Sequence, residues 1–305
     1  MFERRTITKL VSLLVISLLV ISVMGPSPSV HADVGDDELI VEVIPRGDAY
    51  AVAARHNLQV LSYLNDNGHR MYLMRNLSSQ PIMQVMDQVK RDSDVGQVEL
   101  NESTTVAEAD GPGGRSVGNI DGGCGTGTAD QGAITRIRAP DAWSISTGAG
   151  VIVAVIDTGI DLSAGLNIVP GYDFIDRDSN PSDVPGGQAS GHGTAVASLI
   201  LSVAPDAQIM PIRAFDQNGY SAAFQLAEAI DYARWHGASV INMSFSFSQE
   251  VNLVSNFINY AYGQGITLVA AAGNDGSGQA RFPALESEVL SIAAVDSRDI
   301  KADFS

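Results

Sequence analysis

Apolar residues beyond position 135 are grouped in a pattern typical of a parallel α/β sheet. The run VIVAVI (151–156) is continuous and rich in β-branched residues, as expected of a strand that is buried on both faces. Blocks of strand and helix type alternate after it, with strands predicted at 207–215, 239–245 and 266–273 and helices predicted at 193–203, 221–237 and 248–265. This alternation predicts right-handed βαβ units and therefore a parallel sheet.

A shorter region, at about residues 37–101, has a different order of elements. Its apolar residues predict strands at 38–44, 58–64, 69–77 and 95–100 and helices at 47–57 and 79–92. Ser79 is expected to be the N-cap of the second helix, with Pro81 in the first turn. The order β-α-β-β-α-β predicts a ferredoxin-like α+β domain, an arrangement that specifies no function by itself.

The N-terminal residues have the organisation of a secretory signal peptide, predicted to span 1–32. Basic residues precede an apolar run at 10–24, and Val30-His31-Ala32 forms a small-x-small cleavage pattern. The apolar run is short for a membrane span. We therefore predict a secreted, extracellular protein with no stable membrane anchor.

Residues 102–134 are rich in Gly, Ser, Thr, Asp and Glu and contain almost no large apolar side chains. This composition predicts an exposed linker, which proteases cut readily. The chain is thus divided into a signal peptide (1–32), a first domain (33–101), the linker (102–134) and a second domain (135–305).

The net charge and the cysteine content limit the classes of partner that the protein is expected to bind. The 305 residues carry a formal net charge of −17, which argues against nucleic acid because phosphate binding needs clustered Lys and Arg. Cys124 is the single cysteine, so the chain can form no internal disulfide. Two interpretations of Cys124 stay open, an intermolecular partner and a free surface thiol.

Three polar residues adjoin predicted elements where parallel-sheet proteins place their sites. Asp157 ends the strand VIVAVI, His192 precedes a helix in SGHGTAVA, and Asn274 follows the strand ending in VAAAG. Each alone is a common capping or turn residue. Together they are components of acyl transfer: a carboxylate that orients an imidazole, an imidazole that accepts a proton, and a carboxamide that donates to an oxyanion.

The motifs around these residues resemble those of the subtilisin family of serine protease precursors. The matching stretches occur in the family's order between about 131 and 305, namely VIDTGID, GHGTAVAS, VINMSFS, VAAAGNDG and FPA. The resemblance implies a parallel-sheet α/β catalytic domain preceded by a ferredoxin-like propeptide. It also implies serine endopeptidase activity on protein or peptide substrates, with triad members in the chain order Asp, His, Ser.

By this resemblance Asp157 and His192 are triad members, and Asn274 is the oxyanion-hole donor. Five further residues match the two walls that hold extended substrate by main-chain hydrogen bonds. The residues of these walls are Ser244, Phe245 and Ser246 on one strand and Ala272 and Gly273 facing them.

The resemblance also assigns a role to the regions before the catalytic domain. The 33–101 domain resembles the family's propeptide, which assists folding and acts as an intramolecular inhibitor until it is cleaved. The linker is then expected to contain the maturation site. The stretch ITRIRAPDAW (134–143) resembles the start of the mature enzyme.

One component of the family pattern is missing from the sequence. No Gly-Thr-Ser motif followed by a small-residue helix occurs after Asp157, so the nucleophilic serine is expected beyond residue 305. Ser305 is not assigned that role. The chain as given is therefore expected to be an inactive fragment of a longer enzyme, with an unpaired sheet edge and exposed apolar surface.

The resemblance assigns no metal ligand and no certain cofactor. The family's long calcium-binding loop is absent after the His192 helix, because HGTAVASLILSVAPDAQIM passes straight to the next strand. The acidic segment DFIDRDSNPSD (173–183) could supply oxygen ligands for calcium, but its spacing fits no ligand template, and a solvated loop is the simpler interpretation. Ser246 stands where the family often has Gly, which changes the expected width of the specificity pocket.

Two other classes of protein fit parts of the pattern. A non-catalytic peptide-binding or surface protein on the same scaffold would keep the strands and the cleft without hydrolysis. A nucleotide-binding Rossmann protein would share the α/β alternation, but the fingerprint glycines are absent. A Gly-Thr-Ser motif in the downstream gene sequence distinguishes the protease from the binding protein.

Overall fold

The computed structural model describes residues 35–106, 131–296 and 298–305. The predicted signal peptide (1–32), Cys124 and residues 107–130 of the predicted linker lie outside the described residues. Within the described ranges, no helix combines the length and the apolar character needed to cross a bilayer.

The N-terminal sheet is antiparallel, with the strand order β2-β3-β1-β4. Its elements in chain order are β1 (Glu38–Val43), α1 (Ala49–Arg55), β2 (Leu58–Asp66), β3 (His69–Asn76), α2 (Ile82–Val89) and β4 (Val95–Leu100). Leu39 and Val41 pack with Val52 of α1 in a small core. Ile40 and Leu73 point to the opposite face and join the larger core of the second domain. The order of elements is the β-α-β-β-α-β order that the apolar pattern predicts.

The two helices of this domain begin in different ways. Helix α1 is capped by Asp48, whose carboxylate accepts a hydrogen bond of 2.9 Å from the backbone N–H of Tyr50. Helix α2 has Pro81 at its N-cap position and no side-chain cap. The prediction of Ser79 as the N-cap, with Pro81 inside the first turn, is wrong. Pro81 has an extended ψ of 139°, so the helix begins only at Ile82.

Part of the predicted linker is a strand. Residues Ser103–Val106 form β5, the central strand of a small sheet between β9 (Tyr220–Ala222) and β11 (Phe245–Ser246). Val106 is only 1% exposed. The prediction of an exposed linker from residue 102 is therefore wrong for these residues, because strands on both sides satisfy the backbone polar groups of a polar sequence.

The second sheet is parallel, with the order β13-β12-β10-β6-β8-β7. Its strands are β6 (Ile152–Asp157), β7 (Tyr172–Asp173), β8 (Gln208–Arg213), β10 (Val240–Met243), β12 (Thr267–Ala271) and β13 (Val289–Ile292). Successive residues of β6 face two different cores, since Ala154 and Ile156 belong to one and Val153 and Val155 to the other. The prediction of a strand buried on both faces of a parallel sheet is confirmed.

Five further helices belong to the second domain as described. They are α3 (Gln131–Arg136), α4 (Ala139–Ala142), α5 (His192–Val203), α6 (Ala223–Trp235) and α7 (Asn252–Gly263). Helix α6 begins two residues later than predicted, because 220–222 form β9. Helix α7 begins at Asn252 rather than at residue 248.

Strand β13 lies at one edge of the parallel sheet and has no second neighbour among the described strands. Leu290 and Ile292 on this strand are 57% and 56% exposed. An apolar, unpaired edge is the feature that the sequence predicts for this sheet.

Candidate active site

Asp157 is the last residue of β6 and is fully buried at the carboxyl edge of the parallel sheet. Its Oδ1 accepts a hydrogen bond of 2.8 Å from the backbone N–H of Thr158. Its backbone carbonyl accepts hydrogen bonds from the N–H groups of Ala214 and Phe215, at 2.9 and 3.2 Å. These bonds fix the direction of a carboxylate that would be strongly destabilising if it were buried without partners.

His192 is the first residue of helix α5, and its ring is also buried. His192 Nδ1 lies 2.6 Å from Asp157 Oδ1. An ionised carboxylate can only accept a hydrogen bond, so Nδ1 carries the proton and Nε2 is the basic nitrogen. The structure thus brings together two of the residues that the sequence singles out, in the arrangement that orients a general base. Their catalytic role stays a prediction.

The contact between the helix and the strand end depends on a glycine. A Cβ atom on Gly193 would lie 2.2 Å from the carbonyl oxygen of Gly159 and 3.0 Å from Asp157 Cβ. No other residue type fits at position 193 without moving one of the two segments. The small residue after His192 therefore lets the imidazole approach the carboxylate.

Asn274 follows β12, two strands from β6 in the sheet order, and is half-buried. Because parallel strands end at the same edge of a sheet, Asn274 lies at the same edge as Asp157. The next residue, Asp275, forms an ion pair of 2.6 Å with Arg281. Hydrogen bonds from Ser277 and Arg281 lower the pKa of Asp275 to about 2, so this loop keeps its ion pair over a wide pH range. The oxyanion-donor role of Asn274 stays a prediction.

A peptide strand of the same chain lies along the predicted substrate-binding strand. Strand β5 is antiparallel to β11, with Val106 opposite Phe245 and Thr105 opposite Ser246. Thr104 Oγ1 also donates a hydrogen bond of 2.6 Å to the carbonyl oxygen of Ser246. Phe245 and Ser246 therefore pair with an extended segment, as the resemblance implies for substrate.

The predicted facing wall is bonded to other segments of the second domain. Ala272 donates its N–H to Ile292 and accepts a hydrogen bond from the N–H of Arg281, both at 2.9 Å. Strand β5 has β9 as its second neighbour, and the role of Ala272 and Gly273 in holding substrate by main-chain hydrogen bonds stays a prediction. Ser244 lies between β10 and β11. Sequence reasoning missed β9 because residues 220–222 lead directly into an amphipathic helix.

The residues before β5 contact the N-terminus of helix α6. Asn101 Oδ1 accepts a hydrogen bond of 2.9 Å from the N–H of Phe224, and the carbonyl of Glu102 accepts one of 2.9 Å from the N–H of Ala223. Ala222 is at the N-cap position and provides no side-chain cap. The N-terminal domain therefore satisfies N–H groups that the helix itself leaves free.

The acidic segment at 173–183 binds a cationic side chain of the protein itself. Arg213 Nη1 lies 2.6 Å from Asp173 Oδ2 and 2.6 Å from Asp176 Oδ2, and both Arg213 and Asp173 are buried. In the part of the chain that the structure describes, no three His, Cys, Asp or Glu side chains converge as metal ligands. Calcium binding by this segment stays a prediction.

The structure is that of an α/β protein with a buried Asp157–His192 pair at the carboxyl edge of its parallel sheet. The subtilase family (Peptidase S8) matches residues 148–305. This match covers more than half of the chain, and the chain belongs to the subtilase family.

Three relatives illustrate the similarity. A thermophilic serine proteinase of Bacillus sp. (strain AK1) is 38% identical over 178 residues, which are 54% of this chain and 43% of that protein. Thermitase of Thermoactinomyces vulgaris is 35% identical over 184 residues, 56% of this chain and 64% of that protein. The minor extracellular protease Epr of Bacillus subtilis (strain 168) is 33% identical over 236 residues, 73% of this chain and 35% of that protein. The chain spans less than two thirds of the length of each relative.

A solved structure shows the same fold. Fervidolysin from Fervidobacterium pennivorans, described as a keratinolytic enzyme related to subtilisin, matches with a TM-score of 0.65 and 24% identity. The match covers 85% of this chain and 43% of that chain. The chain therefore has a subtilisin-like fold and belongs to a family of serine-type endopeptidases.

Proposed function

We propose that the protein is the precursor of a secreted serine endopeptidase. The observation that carries this proposal is the buried hydrogen bond of 2.6 Å between His192 Nδ1 and Asp157 Oδ1. An imidazole held in one tautomer is suited to move the protons of peptide hydrolysis. Strands β9 and β11 bind an extended strand of the same chain, which is the substrate shape that such an enzyme needs.

The proposed reaction uses the two buried residues and Asn274. His192 Nε2 takes the proton of a serine hydroxyl while its oxygen attacks the carbonyl carbon of the scissile peptide, and Asp157 stabilises the imidazolium. The side-chain amide of Asn274 donates to the oxyanion. The imidazolium then protonates the leaving amine, and water hydrolyses the acyl-enzyme. We place the serine in polypeptide that follows residue 305, because the sequence after Asp157 lacks the Gly-Thr-Ser motif.

In this proposal the N-terminal domain is an intramolecular inhibitor. Strand β5 already pairs with both β9 and β11, so a substrate strand cannot pair there at the same time. Activation then needs a cut after β5, within residues 107–134 of the linker, followed by release of the domain. Secretion is supported by the signal-like N-terminus and by the similarity to an extracellular protease.

The complete gene product, including the segment after residue 305, tests the proposal. We expect it to hydrolyse casein and to be inactivated by a phosphonate or sulfonyl fluoride directed at serine. Asp157→Asn should lower kcat by about 10⁴-fold, because the imidazole loses its required tautomer. Asp206→Asn removes an exposed carboxylate that has no role in the proposed reaction, and it should leave hydrolysis unchanged.

A second variant tests the oxyanion donor. Asn274→Ala should lower kcat by roughly 10²–10³-fold with little change in KM, which is the size of the effect for the corresponding donor in subtilisin itself. A complete gene product that neither hydrolyses casein nor reacts with the phosphonate would overturn the endopeptidase proposal.

A second candidate function is peptide binding without cleavage. The observation that favours it is β5, which pairs with β9 and β11 through main-chain hydrogen bonds of the kind that any extended peptide offers. A binding protein would retain labelled peptides intact, with the same affinity in Asp157→Asn as in the parent. Hydrolysis of casein that is lost in Asp157→Asn overturns this candidate.

A further inference from the structure

Asp183 connects the two segments that carry the buried pair. Its carboxylate Oδ2 accepts a hydrogen bond from the backbone N–H of Gly191, the residue before His192. Its own N–H donates a hydrogen bond of 3.2 Å to the carbonyl of Ile160, the third residue after Asp157. A single residue therefore spans from the end of β6 to the beginning of helix α5.

The backbone conformation of Gly191 determines where helix α5 begins. Gly191 occupies the N-cap position of α5 with a left-handed φ of 88°, and no side chain caps the helix. Its orientation sets the place where the helix begins, and His192 is the first helical residue. The Asp183 carboxylate holds the Gly191 N–H and so restrains the start of the helix.

The surrounding contacts transmit a shift of this region to the imidazole. The N–H of Gly193 donates to Thr158 Oγ1 at 3.3 Å, and the N–H of Asp161 donates to Thr194 Oγ1 at 2.8 Å. The first turn of α5 is thus bonded to the segment after Asp157 at two more positions. Without the Gly191 restraint, these two hydrogen bonds alone would hold the start of the helix, and the imidazole would shift.

Asp183 is unfavourable for stability when it is ionised. Burial is the main cause that raises the pKa of its carboxyl to about 6, and the charge of Asp157 adds to the rise, while the Gly191 N–H and Arg213 oppose it. The neutral carboxyl is thus favoured in the folded protein. Its stabilising contribution is present below the ordinary Asp pKa and is lost as the pH rises through about 6. An ionisable residue that lowers the stability of the fold next to a proposed catalytic pair is typical of a functional site.

We propose that Asp183 is a positioning residue for His192, whose carboxylate holds Gly191 and thereby aligns the imidazole for proton transfer. This inference rests on the proposed function, because it assigns a part of the same site. The charged groups that act on Asp183 are Asp157 at the end of β6 and Arg213 at the end of β8, and the ionisable His192 follows Gly191 directly.

Substitutions in the complete gene product separate positioning from a merely structural role. Asp183→Ala should lower kcat roughly 10- to 100-fold with KM within about twofold, because a small misplacement of a catalytic group slows the reaction strongly. Its melting temperature at pH 8 should be unchanged or higher, because a half-buried charge is removed. Asp183→Asn keeps an acceptor for Gly191 and should retain kcat within about threefold. Asp206→Asn is the matched charge control.

The pH profile gives a second readout. In the parent protein, protonation of Asp183 near pH 6 should lower kcat by no more than about threefold, because the neutral carboxyl, like Asn at this position, still offers an oxygen to the Gly191 N–H. In Asp183→Asn this change of kcat near pH 6 should be absent. In the chain of residues 1–305, the ¹⁵N shift of the Gly191 amide should titrate with a midpoint near pH 6 and should not titrate in Asp183→Asn.

The possible outcomes are distinct. Unchanged kcat in Asp183→Ala overturns the inference, and so does a loss of activity that parallels a loss of melting temperature. Absence of hydrolysis in the parent overturns the proposed function instead. Even if the parent does not hydrolyse casein, a ¹⁵N shift of the Gly191 amide that does not change with pH overturns the assigned hydrogen bond between Asp183 and Gly191.

Discussion

Glu99, on strand β4 of the N-terminal sheet, accepts a hydrogen bond of 2.9 Å from the backbone N–H of Leu253 in the first turn of helix α7. Its other carboxylate oxygen accepts hydrogen bonds from the backbone N–H and the side-chain amide of Asn252, at 3.1 and 3.0 Å. The N-cap residue of this helix is Val251, which has no side chain able to cap. One domain therefore caps a helix of the other, at the end where a negative charge is favourable.

We expect Glu99→Ala to lower the free energy of unfolding of the chain by about 1–2 kcal/mol, because the first turn of α7 loses its acceptors. The midpoint of urea unfolding measures this change. Asp87→Ala removes an exposed carboxylate from helix α2 and should shift the free energy of unfolding by less than about 0.5 kcal/mol. Equal urea midpoints for Glu99→Ala and Asp87→Ala would show that water replaces the Glu99 carboxylate with no loss of stability.

Strand β5 should leave the cleft in Val106→Asp. The Val106 side chain is buried with Phe245, and a carboxylate there would have no partner to offset its burial. Faster hydrogen exchange at the amides of β5 and β11 is the measurement. Ser103→Asp places the same charge at an exposed position of the same strand and should leave these amides protected. Continued protection in Val106→Asp would contradict the assigned packing of β5.

Arg213→Met should destabilise the chain by about 3–5 kcal/mol, because it leaves the buried carboxylate of Asp173 without its cation. Urea unfolding at neutral pH measures the loss. Arg298→Met breaks an exposed ion pair with Asp296 and should change the midpoint little. A similar small change in both variants would mean that Asp173 is accessible to water.

The pH dependence of unfolding should decrease in Glu228→Gln. Glu228 accepts a hydrogen bond from Ser62 of the N-terminal domain and lies 2.7 Å from Arg177 Nη1. Burial raises the pKa of Glu228, and Arg177 only partly opposes this rise. The neutral form thus stabilises the chain below the ordinary Glu pKa, and this contribution is lost as the pH rises through the raised pKa.

The measurement for this prediction is the urea midpoint at pH 5 and at pH 8. The urea midpoint of the parent should decrease from pH 5 to pH 8 through Glu228, and Glu228→Gln should not show that decrease. Glu250→Gln is exposed and should keep the slope of the parent. A parallel decline in the parent and in Glu228→Gln would exclude Glu228 as its cause.

The sequence predicts the parallel sheet well because its signals are local. A strand buried on both faces must be apolar throughout, and 151–156 shows this directly. Asp157 and His192 could be chosen for the same reason, since parallel strands and the helices after them end and begin at one edge. Their contact at 2.6 Å follows from that topology once the sheet has formed.

Other features have no local signal. Strand β5 has the short polar sequence STTV, and its partners are Tyr220–Ala222 and Phe245–Ser246, more than a hundred residues away. Ser79 resembles an N-cap in the sequence, yet the extended backbone of Pro81 moves the helix start beyond it. Asp183 is one of several acids in its segment, and only its bond to Gly191 distinguishes it.

The sequence by itself determined the apolar strands and helices of the two sheets, their alternation and the family, because apolar periodicity and short motifs are properties of consecutive residues. The tertiary structure decided which strand occupies the cleft, which carboxylate binds Arg213, and which acidic side chains cap helices or hold Gly191. The physical reason is that a polar group's partner depends on which distant segments the packed cores bring within hydrogen-bond distance, and desolvation then makes that one partner obligatory.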